Sequence, residues 1–299
     1  TYIIGQVSAP IGDFIGFAHA LQDARISMER LNDIHAQEDE EYDICNKLSL
    51  LPENGTITVR DLTYSYSGAE RDYAIKNLSL DIPEGKVTAI VGESGSGKTT
   101  LIKLLQGFYK PNSGTIKVGG ISLDCINPHL WRKSTGSVMQ ESYIFSDTIA
   151  KNIALSTDEV DVKRLYDSAL LANADEFISA LPLGYNTRIG MEGSGVSQGQ
   201  RQRLLIARAI YKNPKYLFFD EATNSLDATN ERIIMENLQK IFQNRTVVIS
   251  AHRLSTVMNA DNIVVMKKGE IVEQGTHSEL VALRGHYYTL VKNQLELGK

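Results

Sequence analysis

Cysteine is scarce. Cys45 and Cys125 are the two cysteines in 299 residues, too few for a disulfide framework or a four-thiolate zinc site. That scarcity suits a reducing compartment, and a cytoplasmic location is the expectation. Proline (7) and glycine (23) together are about a tenth of the chain, which excludes collagen-like and low-complexity architectures. There is no basic excess either: the net charge is −5. Nothing recruits nucleic acid or anionic lipid across the whole surface. No apolar run reaches 18 residues, so no complete membrane-spanning helix is expected. No internal repeat is seen. What the chain does have is ordinary globular composition, 42% hydrophobic and 22% charged, with enough apolar material for a sizeable core. Its length suits about two domains. By composition it is a soluble protein.

The residues fall into three stretches. Residues 1–35 begin as the greasy TYIIGQVSAPIGDFIGFAHAL, broken by Pro10, Asp13 and His19. From about Pro10 the apolar residues Ile15, Ala18, Leu21, Ile26 and Leu31 recur at roughly helical spacing, with Arg25, Glu29 and Arg30 on a polar side. Two readings are open: a surface helix, or the cytoplasmic end of a membrane helix. Residues 36–54, with QEDEEYD and then Pro52 and Asn54, read as a linker. From Thr56, β-rich runs (TITVR, LSLDI, VTAIVG, GTIKVGGISL, YLFFD, TVVIS, NIVVMK) alternate with helical patterns (TTLIKLLQGF, DVKRLYDSALLANADEFISAL, QGQRQRLLIARAIY, ATNERIIMENLQKIF). That alternation predicts an α/β domain with a mainly parallel core sheet. The strands before residue 90 and the Gly119-Gly120 turn predict a small antiparallel sheet beside it. Residues 143–210 read as purely helical. Thr276-x-x-Glu279 is a capping box.

VTAIV-GESGSGKTT-LIKLL is strand, glycine-rich loop and helix, and Gly92, Gly97, Lys98 and Thr99 fit G-x-x-x-x-G-K-[ST] at every fixed position. Glycines let backbone N–H groups wrap a phosphate, and the helix N-terminus adds its positive end. Lys98 can reach the β- and γ-phosphates of a nucleotide, and the Thr99 hydroxyl can ligate Mg²⁺. YLFFD-E is a buried strand ending in Asp220 and Glu221. An acid at the C-terminal edge of such a strand can hold Mg²⁺, and the next can activate water. Ser197-x-x-Gln200 is a second capping box, opening a helix with a free serine and a glycine backbone, a possible anion site.

With GVSQGQRQRLLIARAI added, the chain resembles the ATP-binding cassette ATPases. Their LSGGQ signature stands here as Val196-Ser197-Gln198-Gly199-Gln200, departing at the first and third positions and keeping Ser197 and Gly199. The resemblance covers about residues 56–298. It implies a P-loop NTPase (RecA-like) core with a small antiparallel β-subdomain and an inserted α-helical subdomain at about 143–210. It implies ATP and Mg²⁺ as ligands. The phosphates would lie on Gly92, Glu93, Ser94, Gly95, Ser96, Gly97, Lys98, Thr99 and Thr100, and Tyr66 would stack on adenine in preference to Tyr64 or Tyr73. Gln140 looks like the glutamine that touches Mg²⁺ and the attacking water, so the metal set is Thr99, Gln140 and Asp220. Glu221 would be the general base and His252, in ISAHR, the contact to the γ-phosphate. Asn224-Ser225-Leu226-Asp227 resembles the loop that crosses a dimer interface, which adds Asp227. Ser197, Gln198, Gly199 and Gln200 would face the γ-phosphate of a nucleotide held by a second copy.

The same resemblance points to an exporter. Thr187-Arg188-Ile189-Gly190-Met191-Glu192-Gly193 looks like an exporter loop with Met191 in place of the usual Glu. Residues 1–35 resemble the end of the last membrane helix in exporters that fuse membrane and ATPase domains, closest to bacterial peptidase-containing peptide and bacteriocin exporters. The division expected is then 1–35, a 36–54 linker and a 55–299 nucleotide-binding domain. Implied partners are a second nucleotide-binding domain and the membrane part of the same parent chain, with no nucleic acid. The implied place is the cytoplasmic face of the membrane. A lipid or multidrug exporter is the alternative. A chromosome-maintenance ATPase would need a coiled coil between the P-loop and Ser197, where about 100 residues without heptads stand. A translation-associated protein would need two cassettes, and a P-loop kinase or GTPase would lack the signature and His252.

Overall fold

A computed structural model describes residues 2–36, 47–67, 72–155, 159–190, 195–223, 226, 228–251 and 257–297. Its contacts divide the chain into two units, Thr1–Asn46 and Lys47–Lys299. The division falls inside the stretch read as a linker, because Leu48 already bridges to Ile126 and exchanges backbone hydrogen bonds with Cys125 and Asn127.

In the described residues of the first unit there is one helix, α1 (Tyr2–His35), with Pro10 inside it. The helix therefore starts earlier than the spacing from Pro10 onward suggested. A proline inside a helix removes one amide, here the one facing the Gln6 carbonyl, while the flanking residues keep their own bonds. Arg25 and Glu29 pair at 2.9 Å one turn apart. The apolar side chains Phe14, Phe17, Met28 and Ile34 are exposed. Among the described residues no helix is long and apolar enough to cross a membrane.

The second unit holds β1 (Ile57–Tyr64), β2 (Ile75–Ile82), β3 (Val87–Gly92), α2 (Lys98–Leu105), β4 (Ser113–Val118), β5 (Ile121–Ser122), α3 (Pro128–Ser134), β6 (Thr135–Val138), β7 (Asp147–Thr148), α4 (Ile149–Ile153), α5 (Val162–Leu171), α6 (Asp175–Ser179), β8 (Arg188–Ile189), α7 (Gln198–Tyr211), β9 (Tyr216–Asp220), α8 (Ala228–Phe242), β10 (Thr246–Ser250), β11 (Asn262–Lys267) and β12 (Glu270–Gly275). Helices His277–Leu283 and His286–Leu297 follow. The central sheet runs β12-β11-β3-β10-β9-β6, parallel except for the edge strand β12. A separate antiparallel sheet runs β2-β1-β4-β5. The α/β class with a mainly parallel core and a small antiparallel sheet stands.

A parallel sheet covered on both faces demands apolar residues at every position, and period-2 geometry sends them alternately to two sides. The central strands obey. Ala89, Leu217, Phe219, Val247, Ile249, Ile263 and Val265 join one core with α7 and α8. Ile90, Tyr216, Phe218, Val248, Val264 and Met266 join a second core with α2 and the antiparallel sheet. The β4–β5 hairpin turns on Gly119 and Gly120, both at positive φ (56° and 84°), as the Gly-Gly pair implied.

The reading of 143–210 as purely helical is incomplete. Asp147–Thr148 and Arg188–Ile189 form a two-residue antiparallel ladder, β7–β8, which closes this helical region at its base. The pattern over 161–181 is two helices, because Asn173 takes a left-handed turn (φ 52°) between α5 and α6. Strands β6 (TGSV) and β12 (EIVEQG) were not anticipated. The first is short and small-residued, and the second is an exposed, charged edge without a run of apolar residues.

Candidate functional site

All five parallel strands point their C-terminal ends to one edge, where ligands of open α/β sheets gather. At that edge β3 runs into the loop Gly92–Gly97 and α2. Three glycines there hold backbone that other residues resist: Gly92 (φ 157°), Gly95 (φ 77°) and Gly97 (φ 103°). Space forbids a side chain at two of them. A Cβ on Gly97 would stand 2.6 Å from the Ala74 carbonyl oxygen, and one on Gly92 would strike the Met266 carbonyl and the Ser96 hydroxyl. Gly97 caps α2 with no side-chain hydrogen bond, so the helix's first amides face the loop. Lys98 Nζ donates to the carbonyls of Gly92 (2.9 Å) and Glu93 (3.0 Å), which holds the ammonium over the loop. Burial pulls the Lys98 pKa down, while the nearby Glu221 and Asp220 carboxylates push it back up.

Asp220 ends β9 fully buried, at 0% exposure. Thr99 Oγ1 donates to its Oδ2 at 2.7 Å. Its Oδ1 is buried and has no hydrogen-bond partner among the described residues. Burial raises the Asp220 pKa, and the Thr99 and Ser250 hydroxyls oppose that rise. A carboxylate kept out of water with one oxygen unpaired is costly by itself. A hydroxyl and a carboxylate oxygen side by side are the hard donors that a divalent cation takes. Glu221 follows, half-buried and in the left-handed region (φ 52°), its amide donating to the Ser250 carbonyl at 3.0 Å. A non-glycine residue in that region is strained, by about 1–3 kcal/mol, and such strain clusters at functional sites.

The family model described as ABC transporter matches residues 75–224, from β2 to just beyond Glu221. That stretch is half the chain and contains the loop and both acids. The chain belongs to the ABC transporter family. It is 45% identical over 293 residues to the leukotoxin translocation ATP-binding protein LktB of Mannheimia haemolytica, with the same figures for LktB of Bibersteinia trehalosi. Those matches cover 98% of this chain and 41% of LktB, so the chain spans about two-fifths of the length of these relatives. In structure it is similar to a bacterial Atm1-family ABC exporter with ATP bound, at a TM-score of 0.84 and 34% identity, over 91% of this chain and 47% of that one.

The other residues singled out in the sequence stand as follows. Tyr66 is 57% exposed, and its hydroxyl meets Thr100 Oγ1 at 3.1 Å, so an open ring stands beside the start of α2. Tyr64 and Tyr109 pack edge-on against it at 5.1 and 5.5 Å. Tyr64 is buried and offers no free face, and Tyr73 is half-buried. Gln140 is exposed two residues beyond β6, whose Val138 pairs with Phe219, so it leaves the sheet at the edge that carries Asp220. Ser197 caps α7: its hydroxyl accepts from the Gln200 amide at 3.2 Å, and the Gln200 side chain accepts from the Ser197 amide at 2.8 Å. Gln198 is exposed and Gly199 half-buried in that first turn. Glu93, Ser94 and Gly95 line the exposed rim of the loop, while Ser96 is buried. Asn224, Ser225, Asp227, His252 and the segment Met191–Ser194 lie outside the described residues.

The sequence did not single out the side chains that lock these loops to α7. Arg201 donates to the Ser142 carbonyl (2.6 Å), Gln202 to the Ala222 carbonyl (2.6 Å) and Arg208 to the Tyr143 carbonyl (2.7 Å). Arg208 also reaches the Asn152 carbonyl (2.7 Å), and burial pulls its pKa down to about 10. On the sequence these residues are the polar members of an amphipathic helix, and no spacing rule separates a clamp from a solvated charge.

Proposed function

We propose that this chain binds ATP with Mg²⁺ and hydrolyses ATP to ADP and phosphate, as the energy-supplying part of a membrane exporter. The observation that carries this is the Thr99–Asp220 contact at the mouth of the glycine loop, beside Lys98 and Glu221, in a chain of the ABC transporter family. The loop Gly92–Thr100 receives the phosphates, with Lys98 as the counter-charge to the β- and γ-phosphates. Thr99 and Asp220, joined by Gln140, are the residues that would hold Mg²⁺, and the unpaired Asp220 Oδ1 fits that role. When bound, the ion neutralises charge on the phosphate oxygens. The Glu221 carboxylate takes a proton from the attacking water, and His252 steadies the γ-phosphate. Tyr66 stacks on the adenine. Positioning and charge stabilisation supply most of the rate.

The partner proposed is a second copy of the domain. Each nucleotide would lie between one chain's glycine loop and the other's Ser197–Gln200 turn, and the Asp227 segment would cross between them. Dimer closure and opening would move a membrane part that precedes this domain, with α1 as the end of its last membrane helix and residues 55–299 as the nucleotide-binding domain. That places the domain at the cytoplasmic face of the membrane, where ATP is. The cargo proposed is a polypeptide. What supports it is 45% identity to proteins named for leukotoxin translocation. The exporter reading is tested by reconstituting the longer parent protein in vesicles. ATP-dependent accumulation of a peptide inside inverted vesicles is expected, and peptide distribution indifferent to ATP would refute it.

A further inference from the structure

We propose that Gln202 is a positioning residue for Glu221. Its amide fixes the carbonyl of Ala222, the residue after the general base, and thereby ties that base to the helix that begins at Ser197. This rests on the reading of Glu221 as the base.

Glu221 sits where its own conformation is not self-supporting. Its φ of 52° is a left-handed position with a full side chain, and its amide is held by the Ser250 carbonyl at 3.0 Å. That bond fixes the peptide before Glu221. The peptide after Ala222 is fixed separately, where Gln202 Nε2 donates to the Ala222 oxygen at 2.6 Å. The carboxylate thus swings from a backbone segment pinned at both ends. Gln202 stands on the second turn of α7, two residues after the Gln200 that closes the capping box. A helix turn is stiff, so a displacement of the Ser197 end reaches the Ala222 carbonyl through one side chain. In the proposed dimer the Ser197 turn serves the nucleotide of the second copy, whereas Glu221 serves the nucleotide of its own chain. Gln202 therefore makes the placement of one site's base depend on whether the other site's phosphate is engaged. The neighbouring Arg201, bonded to the Ser142 carbonyl at 2.6 Å, holds the segment after Gln140 to the same turn. The segments that follow Gln140 and Glu221 are thus both tied to one helix.

Misplacement of a reacting group by about 1 Å can cost about 100-fold in rate. The test uses the 299-residue chain with Gln202→Glu and Gln202→Met, which keep the length and lose the donor, and Gln202→Lys, which keeps an N–H donor. Steady-state ATP hydrolysis, equilibrium ATP binding and thermal unfolding are measured on each, with Glu221→Gln alongside. The expected result is a kcat lowered at least about tenfold in the Glu and Met variants, with the KM for ATP within about twofold of the parent, since only transition-state placement is lost. The unfolding midpoint should be unchanged, and Gln202→Lys should recover most of the rate. Undiminished kcat in the Glu and Met variants, beside an inactive Glu221→Gln, overturns the Gln202 proposal alone. Rate, affinity and unfolding midpoint falling together, without recovery in Gln202→Lys, reduces Gln202 to a structural residue and also overturns it. A Glu221→Gln chain that hydrolyses ATP like the parent removes the base reading and the proposal with it.

Discussion

Lys98 carries a charge that the fold keeps over a loop of inward-facing amides, at the expense of partial burial. Removing it should weaken ATP binding. A hydrogen bond to a charged group is worth roughly 1.5–3 kcal/mol, so Lys98→Ala is expected to lose at least about tenfold in affinity by calorimetric titration. Unaltered affinity would take the loop out of phosphate binding. Tyr66 offers a second test at this scale. Stacking on a base is worth roughly 1–3 kcal/mol, so Tyr66→Ala should weaken ATP binding by at least about fivefold, while Tyr66→Phe keeps the ring and most of the affinity. Equal binding by all three chains would move the adenine elsewhere. Residues such as Lys98, Thr99 and Asp220 were legible in the sequence because their chemistry imposes fixed spacing in a glycine loop and a fixed place at a strand end. Gln202 and Arg208 were not, because their partners are backbone carbonyls 20 or more residues away and carry no sequence identity.

Among the elements, α7 joins two roles at its first turn. The Ser197 hydroxyl caps the helix, and in the proposed dimer the same hydroxyl faces a phosphate. The two can be separated. Ser197→Ala should cost about 0.5–2 kcal/mol in urea unfolding and also lower hydrolysis. Ser197→Asp should restore the cap and the stability, yet leave hydrolysis low because a carboxylate repels the phosphate. Full activity in Ser197→Asp would confine Ser197 to capping. A different element carries an acid-sensitive contact. Glu84, in the turn between β2 and β3, accepts from the Gly55 amide (2.8 Å) and pairs with Lys215 (2.7 Å), and the Gly55 amide above all lowers its pKa. A carboxylate with a depressed folded pKa stabilises the fold above its unfolded value, and that stability is lost as pH falls through the folded value. The denaturation midpoint of the parent chain should therefore drop below the ordinary glutamate range more steeply than that of Glu84→Gln. Parallel profiles would exclude this contact. Helix α7 matched its sequence pattern because a capping box marks its start, and α8 because Ile234, Leu238, Ile241 and Phe242 give it one buried apolar face. The β7–β8 ladder escaped because two residues carry no period, and β6 because Thr-Gly-Ser-Val has the small residues that its covered position under Pro214 and Leu217 needs.

At the scale of the whole molecule, one sheet separates two cores, and the glycine loop after β3 and Asp220 at the end of β9 stand at the same edge of it. The α/β class with a mainly parallel sheet was readable in advance as alternating strands and helices. The division at Asn46 falls inside the acidic stretch 36–54 that the sequence reads as a linker. The Ser197 turn is exposed at that molecule's surface, which the proposed sandwich would bury against a second copy. The chain should accordingly be monomeric without nucleotide and dimeric with ATP when hydrolysis is blocked, as read by light scattering. A stable dimer in ATP-free buffer would contradict a shared-nucleotide interface. In the proposed reaction Glu221 is the proton acceptor beside Asp220. General-base catalysis contributes about 10²–10⁴-fold, so hydrolysis by Glu221→Gln should fall at least about 100-fold while its ATP affinity stays within a few-fold of the parent. The measurement is ATP turnover and ATP binding on the same two preparations. Loss of turnover with binding retained is the predicted result, and equal turnover in both chains would contradict it.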